Sequence, residues 1–242
     1  MITSSTRVGE IAVQLPEATR LFEQLKIDYC CGGNLPLGEA CVSAGVNFDQ
    51  LLDMLQAAIS DNAEANAARD FQRLPLTELI DHILETHHVF TKQELTRLEL
   101  LTAKVMEAHG ANHPELNRVG ALVDQLAADL KPHMFKEEQV LFPYIVKLSQ
   151  AVSGKQSAPF APFGTVSNPV RMMMVEHDSA GRILCELRQA TSDYATPPDA
   201  CISYKTLYNA LEEFEKDLHQ HIHLENNILF PRAIELEAQP GA

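Results

Sequence analysis

With 242 residues, 45% of them apolar and only 6% aromatic, no Trp and a formal charge of −14, the chain can bury a sizeable core. It has no net positive field for a nucleic-acid backbone, whose affinity comes from clustered Lys and Arg. The Leu/Ala/Glu-rich balance favours helices packed on helices over a sheet sandwich.

Residues 1–60 read as a small helical unit, with short helices at Val8–Leu15, Pro16–Leu25, Pro36–Ser43 and Phe48–Ser60. The run Asp28-Tyr-Cys-Cys-Gly-Gly-Asn34 interrupts them as a glycine-rich turn. The polar, alanine-rich stretch 61–73 reads as a linker. Residues 74–242 then carry four long amphipathic segments. The first opens at Pro75 with Leu76, Ile80, Leu84, Leu95, Leu98 and Val105 on one stripe, and it ends at the Gly110–Pro114 turn. The second carries Leu116, Val119, Leu122, Leu126, Leu130, Leu141 and Leu148, and a Ser/Gly/Pro-rich crossover follows over 151–168. The third starts near Asn168-Pro169, with Val170, Met173, Leu184 and Leu187 on its stripe. The turn Thr196-Pro-Pro-Asp199 leads into the fourth, with Leu207, Leu211, Phe214, Leu218 and Leu229. The expected fold class is all-α: an antiparallel four-helix bundle behind a small N-terminal helical domain. No apolar run reaches the roughly 18 residues of a membrane span, and the N-terminus lacks the pattern of a signal peptide. Five Cys, two of them adjacent, make no disulfide framework, so a reducing cytoplasm is the expected compartment.

The sharpest signal is a repeat. His133-Met-Phe-Lys-Glu137-Glu-Gln-Val-Leu141-Phe142-Pro143 returns 88 residues later as His221-Ile-His-Leu-Glu225-Asn-Asn-Ile-Leu229-Phe230-Pro231. Four residues are just over one helical turn, so each histidine and its glutamate project from one face. The same offset matches Val119 with Leu207, Val123 with Leu211, Leu126 with Phe214 and Leu130 with Leu218. The second and fourth helices are therefore equivalents in a pseudo-twofold bundle. His133, Glu137, His221 and Glu225 occupy the inward stripes where leucines would continue. Two layers of unpaired buried charge would cost several kcal/mol each; a metal removes that cost.

Helix lengths select the remaining ligands. His88 and His133 lie about the same distance from the turn that joins their helices, roughly 30 Å at 1.5 Å per residue, and His177 and His221 are level by the same measure. His87 competes with His88 from about 100° around the helix, but His88 continues the stripe better. His82, His219 and His223 point off the stripe and read as surface residues, and His109 and His113 sit at the turn at the far end. The expected ligands are His88, His133, Glu137, His177, His221 and Glu225. Four imidazoles and two bridging carboxylates, with an oxide or hydroxide bridge, suit two iron ions; manganese shares this donor preference.

With these residues in place the chain resembles the repair-of-iron-centres family, whose members set a haemerythrin-like di-iron bundle behind a cysteine-bearing N-terminal domain. Asp28-Tyr-Cys-Cys-Gly-Gly33, the two His-x3-Glu blocks with their Leu-Phe-Pro tails, and Glu176-His177-Asp178 carry the likeness. The resemblance implies a cytoplasmic stress protein, monomer or homodimer, that restores iron–sulfur clusters damaged by nitric oxide or oxidants, plausibly by supplying iron to the damaged proteins. The alternative is a nitric-oxide scavenger or reductase on the same irons. It also implies an iron- or nitric-oxide-handling role for Cys30 and Cys31; Cys41, Cys185 and Cys201 read as small core or surface residues. Two departures stand out. Oxygen-carrying haemerythrins place two histidines one turn apart on the third helix, whereas Met173 and Gly181 flank His177 here. Pro132, directly before a ligand, is expected to kink its helix.

Overall fold

The computed structural model describes residues 2–61, 71–154 and 159–239. Of the expected linker, 62–70 lie outside the described residues, as do 155–158 of the crossover. Four short helices come first: α1 Val8–Gln14, α2 Ala18–Leu25, α3 Leu37–Ala44 and α4 Phe48–Asp61. Four long ones follow: α5 over 76–109, α6 over 115–152, α7 Ser167–Ala190 and α8 over 202–237. The one β feature among the described residues is an isolated bridge between Arg7 and Pro36, and no described helix is long and apolar enough to cross a membrane.

Three of the long helices are not uniformly α. Each contains one widened π-turn: Ile83–His88 in α5, Glu137–Leu141 in α6 and Glu225–Leu229 in α8. The repeated Leu-Phe-Pro tail accounts for the last two. Pro143 and Pro231 have no N–H to give to the carbonyl four residues back, and their rings press on it. The residue before each proline bonds five back instead, Phe142 N–H to the Glu137 carbonyl and Phe230 N–H to the Glu225 carbonyl. The widening thus begins at the glutamate of each block, in keeping with the habit of π-turns to mark functional positions. Pro132, where a kink is expected, lies in the α segment that precedes the widened turn. The helix is α through Lys136, with Pro132 on its exposed side.

The bundle core falls into two apolar clusters. One runs from Leu95 and Leu98 through Leu126 and Leu130 to Phe214 and Leu218. The other joins Leu79, Ile83, Phe142, Val170, Met173 and Phe230. The histidines and glutamates lie between them. The N-terminal helices have a third cluster of their own, built on Phe22, Tyr29, Leu37 and Leu51.

That N-terminal unit packs on the outer side of α8. His219 and His223, expected at the surface, are covered by it. His223 is buried and meets the Tyr29 ring edge-on at 5.3 Å. His219 bonds Glu23 across 2.8 Å. Asn227 Nδ2 donates to the Tyr29 carbonyl at 3.1 Å. The junction explains the second glycine of the Cys-Cys-Gly-Gly run: a Cβ on Gly33 would lie 2.8 Å from the Tyr29 carbonyl oxygen and 3.2 Å from Asn227 Oδ1. Gly33→Ala is therefore expected to destabilise the protein by about 1–3 kcal/mol, read as a drop of several degrees in Tm. Gly32→Ala, whose Cβ would meet only the Asp28 side chain, should cost less. Equal melting of Gly33→Ala and the parent chain would contradict this close approach.

Candidate metal centre

Each long helix contributes to one polar layer: α5 brings His88, α6 His133 and Glu137, α7 His177, and α8 His221 and Glu225. All six residues are at most 1% exposed. They form two groups of four converging donor atoms, His88, Glu137, His221 and Glu225 in one, and His133, Glu137, His177 and Glu225 in the other. Both glutamates belong to both groups, as a bridging carboxylate must. The six residues expected from sequence are thus brought together.

All four imidazoles present Nε2 to the carboxylates. His133 Nε2 is 3.3 Å and His88 Nε2 3.5 Å from Glu137 Oε2. His177 Nε2 is 3.2 Å from Glu225 Oε2, and His221 Nε2 is 3.0 Å from Glu225 Oε1. For three of them the outward nitrogen explains this orientation. His88 Nδ1 faces Glu138 at 2.8 Å, His133 Nδ1 faces Glu176 at 2.7 Å, and His177 Nδ1 faces Asn226 at 2.8 Å. An Nδ1–H donated outward leaves a lone pair on Nε2, which is the tautomer a metal needs. Lys92 and Lys136 in turn bond Glu138 and Glu176.

The layer is built for positive charge. Both Glu137 oxygens, Glu225 Oε2 and His88 Nε2 are buried with no hydrogen-bond partner among the described residues. His133 Nε2 and His177 Nε2 approach to 2.9 Å, and two lone pairs cannot bond each other without a cation or proton between them. Burial draws His88 and His133 down, but Glu137 and Glu225 outweigh it and hold them up at about 10 and about 9. Burial works against the charged form of Glu225 as well, yet His221, His177 and His88 keep that carboxyl well below its usual range. His221 is pushed down, because burial wins there. Nitrogen and carboxylate donors without thiolate suit iron or manganese, so the residues fit a pair of such ions.

His87 is buried as well, but it faces elsewhere. Its Nδ1 is 2.9 Å from Asp217, and it belongs to neither four-donor group. The widened turn that ends at His88 accompanies burial of both neighbours, which an unbroken α-helix spacing of about 100° per residue makes difficult. Glu138 and Asn226 escaped the sequence reading, although a signal was present: each directly follows the glutamate of its block, and each supports a histidine on another helix. His109 and His113 lie at the far end beside Tyr204, their rings each 5.3 Å from it.

Cys30 and Cys31 sit against the bundle. Their sulfurs are 3.7 Å apart, and Cys31 Sγ lies 3.5 Å from the His177 carbonyl. Gly181 makes the room, since a Cβ there would be 3.2 Å from Cys31 Sγ. The bond to Cys31 and burial push the Cys30 thiol well above its ordinary range, so it is a thiol at neutral pH. Both cysteines line a cavity of about 430 Å³ with Arg7, Met174, Asp178 and Asn226.

Comparison with known proteins gives the same outline. Residues 79–233 match the haemerythrin HHE cation binding domain family, and residues 4–59 match a domain of unknown function (DUF542). Proteins from Salmonella schwarzengrund, Salmonella paratyphi B and Salmonella newport, each named iron–sulfur cluster repair protein YtfE, are 36% identical to the chain over 228 residues, covering 94% of it and 96% of each of them.

Proposed function

The chain belongs to the repair-of-iron-centres family of haemerythrin-like proteins, and from that premise we propose that it repairs iron–sulfur clusters damaged by nitrosative and oxidative stress, in the cytoplasm, by holding two irons and giving them up. One observation carries the reading: two groups of four buried donors share Glu137 and Glu225. His88 and His221 would hold one ion and His133 and His177 the other, with both glutamates between them. Iron bound there supplies an exchangeable, redox-active cation. The protein keeps the donors oriented through Glu138, Glu176 and Asn226, and it excludes water with the apolar clusters on either side. Only two imidazoles serve each position, and Met173 and Gly181 add none on α7, a donor set suited to release.

We further propose that residues 1–60 and 74–242 are separate domains joined by 61–73, a division supported by the two matched segments. In this reading Cys30 and Cys31 handle iron or nitric oxide beside the bundle, as soft ligands that give up their protons when they bind iron. The double change Cys30→Ala with Cys31→Ala is expected to leave bound iron and helicity unchanged while slowing repair several-fold. Loss of iron from that variant would make the thiols primary ligands. The decisive experiment mixes the iron-loaded protein with a nitric-oxide-damaged iron–sulfur protein. Recovery of cluster absorbance in proportion to the iron supplied supports repair. Consumption of nitric oxide without recovery would make the protein a scavenger or reductase instead.

A further inference from the structure

The four inward imidazoles are not supported equally. In the half containing His133 and His177, both outward nitrogens reach an acceptor, Glu176 at 2.7 Å and Asn226 at 2.8 Å. In the other half His88 reaches Glu138 at 2.8 Å, but His221 Nδ1 is buried and finds no hydrogen-bond partner among the described residues.

The internal repeat shows where the missing partner belongs. His88 on α5 corresponds to His177 on α7, so His87, the residue before it, occupies the place of Glu176. Glu176 directs its carboxylate to His133 and is itself bonded by Lys136. His87 does not do the same for His221. Its Nδ1 is engaged by Asp217 at 2.9 Å. Its ring lies nearly parallel to that of His221, with centroids 5.6 Å apart and 10° between the planes. An imidazole N–H points along its own ring plane, and a ring stacked parallel offers it a face and no in-plane lone pair. Asp217 stands one turn before His221 on the same helix, and its second oxygen is also buried without a partner.

We infer that the two metal positions are inequivalent: the ion held by His88 and His221 is the one given up first, and His87 sets the difference by standing where the other half has a carboxylate. This rests on the two-iron reading above. An outer acceptor fixes its histidine's ring and raises its basicity, and loss of such a partner typically weakens metal binding about 10–100-fold. The arrangement gives a repair protein one ion to deliver while the other keeps the bundle's donors in place.

The test is iron extraction from the full-length protein, loaded anaerobically with two ferrous ions and mixed with excess ferrozine. Two release phases of equal amplitude are expected, separated by about 10–100-fold in rate. Glu176→Gln should speed the slow phase and leave the fast one alone. His87→Glu, which supplies the missing carboxylate, should slow the fast phase. His87→Phe keeps the stack and should keep both phases and both ions, which separates this role from that of a ligand. A single phase in the parent chain would overturn the inference, as would acceleration of the fast phase by Glu176→Gln or loss of an ion from His87→Phe. Circular dichroism confirms that each variant folds. A parent chain that takes up no iron would sink the two-iron reading itself, whereas two irons released together would sink only the inequivalence.

Discussion

Glu137→Ala and Glu225→Ala are each expected to reduce bound iron from about two ions per chain to less than one, the largest effect of any single substitution in the bundle. Each glutamate belongs to both groups of four donors, so its removal takes a ligand from two positions at once. Among the described residues, the neighbouring carboxylates Glu138 and Glu176 belong to neither donor group. Glu138 is turned outward onto His88 and Lys92, and Glu176 onto His133 and Lys136. By contrast, Glu138→Ala removes only an outer partner and should weaken binding about 10-fold without abolishing it. Metal analysis after desalting, with circular dichroism as a check on folding, measures both. Full iron occupancy in the Glu137 and Glu225 variants would remove the bridging assignment.

The parts of this site that sequence reveals are those written in local spacing. His133 with Glu137 and His221 with Glu225 are visible because one helical turn sets their offset and the block occurs twice. The choice between His87 and His88 was harder, because the wheel assumes 100° per residue and α5 widens at Ile83–His88. That widening has no proline to announce it, unlike the turns before Pro143 and Pro231. His219 and His223 were misplaced for a different reason. A helical wheel assigns to water every residue off the core stripe, and it cannot know that Tyr29, 190 or more residues earlier in the chain, packs on that face. The same long-range packing brings Cys31 to the His177 carbonyl, a contact no periodicity encodes.

His88→Ala is expected to lose iron while His109→Ala keeps it, although both histidines lie on α5 and a motif search could nominate either. The helix runs from 76 to 109 without a break. His109 is therefore 21 residues beyond His88, roughly 31 Å at 1.5 Å per residue. Two metals that share a carboxylate lie only about 3.5–4 Å apart, so one centre cannot draw on both. His88 instead comes within 3.5 Å of Glu137 and 3.8 Å of Glu225, and its neighbour His87 is held away by Asp217. His109 packs with His113 and Tyr204 at the other end of the bundle, where its loss should change stability and not metal content. Iron content and the absorption of the loaded site, compared across the two variants, decide the matter. Iron lost from a folded His109→Ala chain would mean that α5 does not run straight between these residues and that the four histidines do not share one layer.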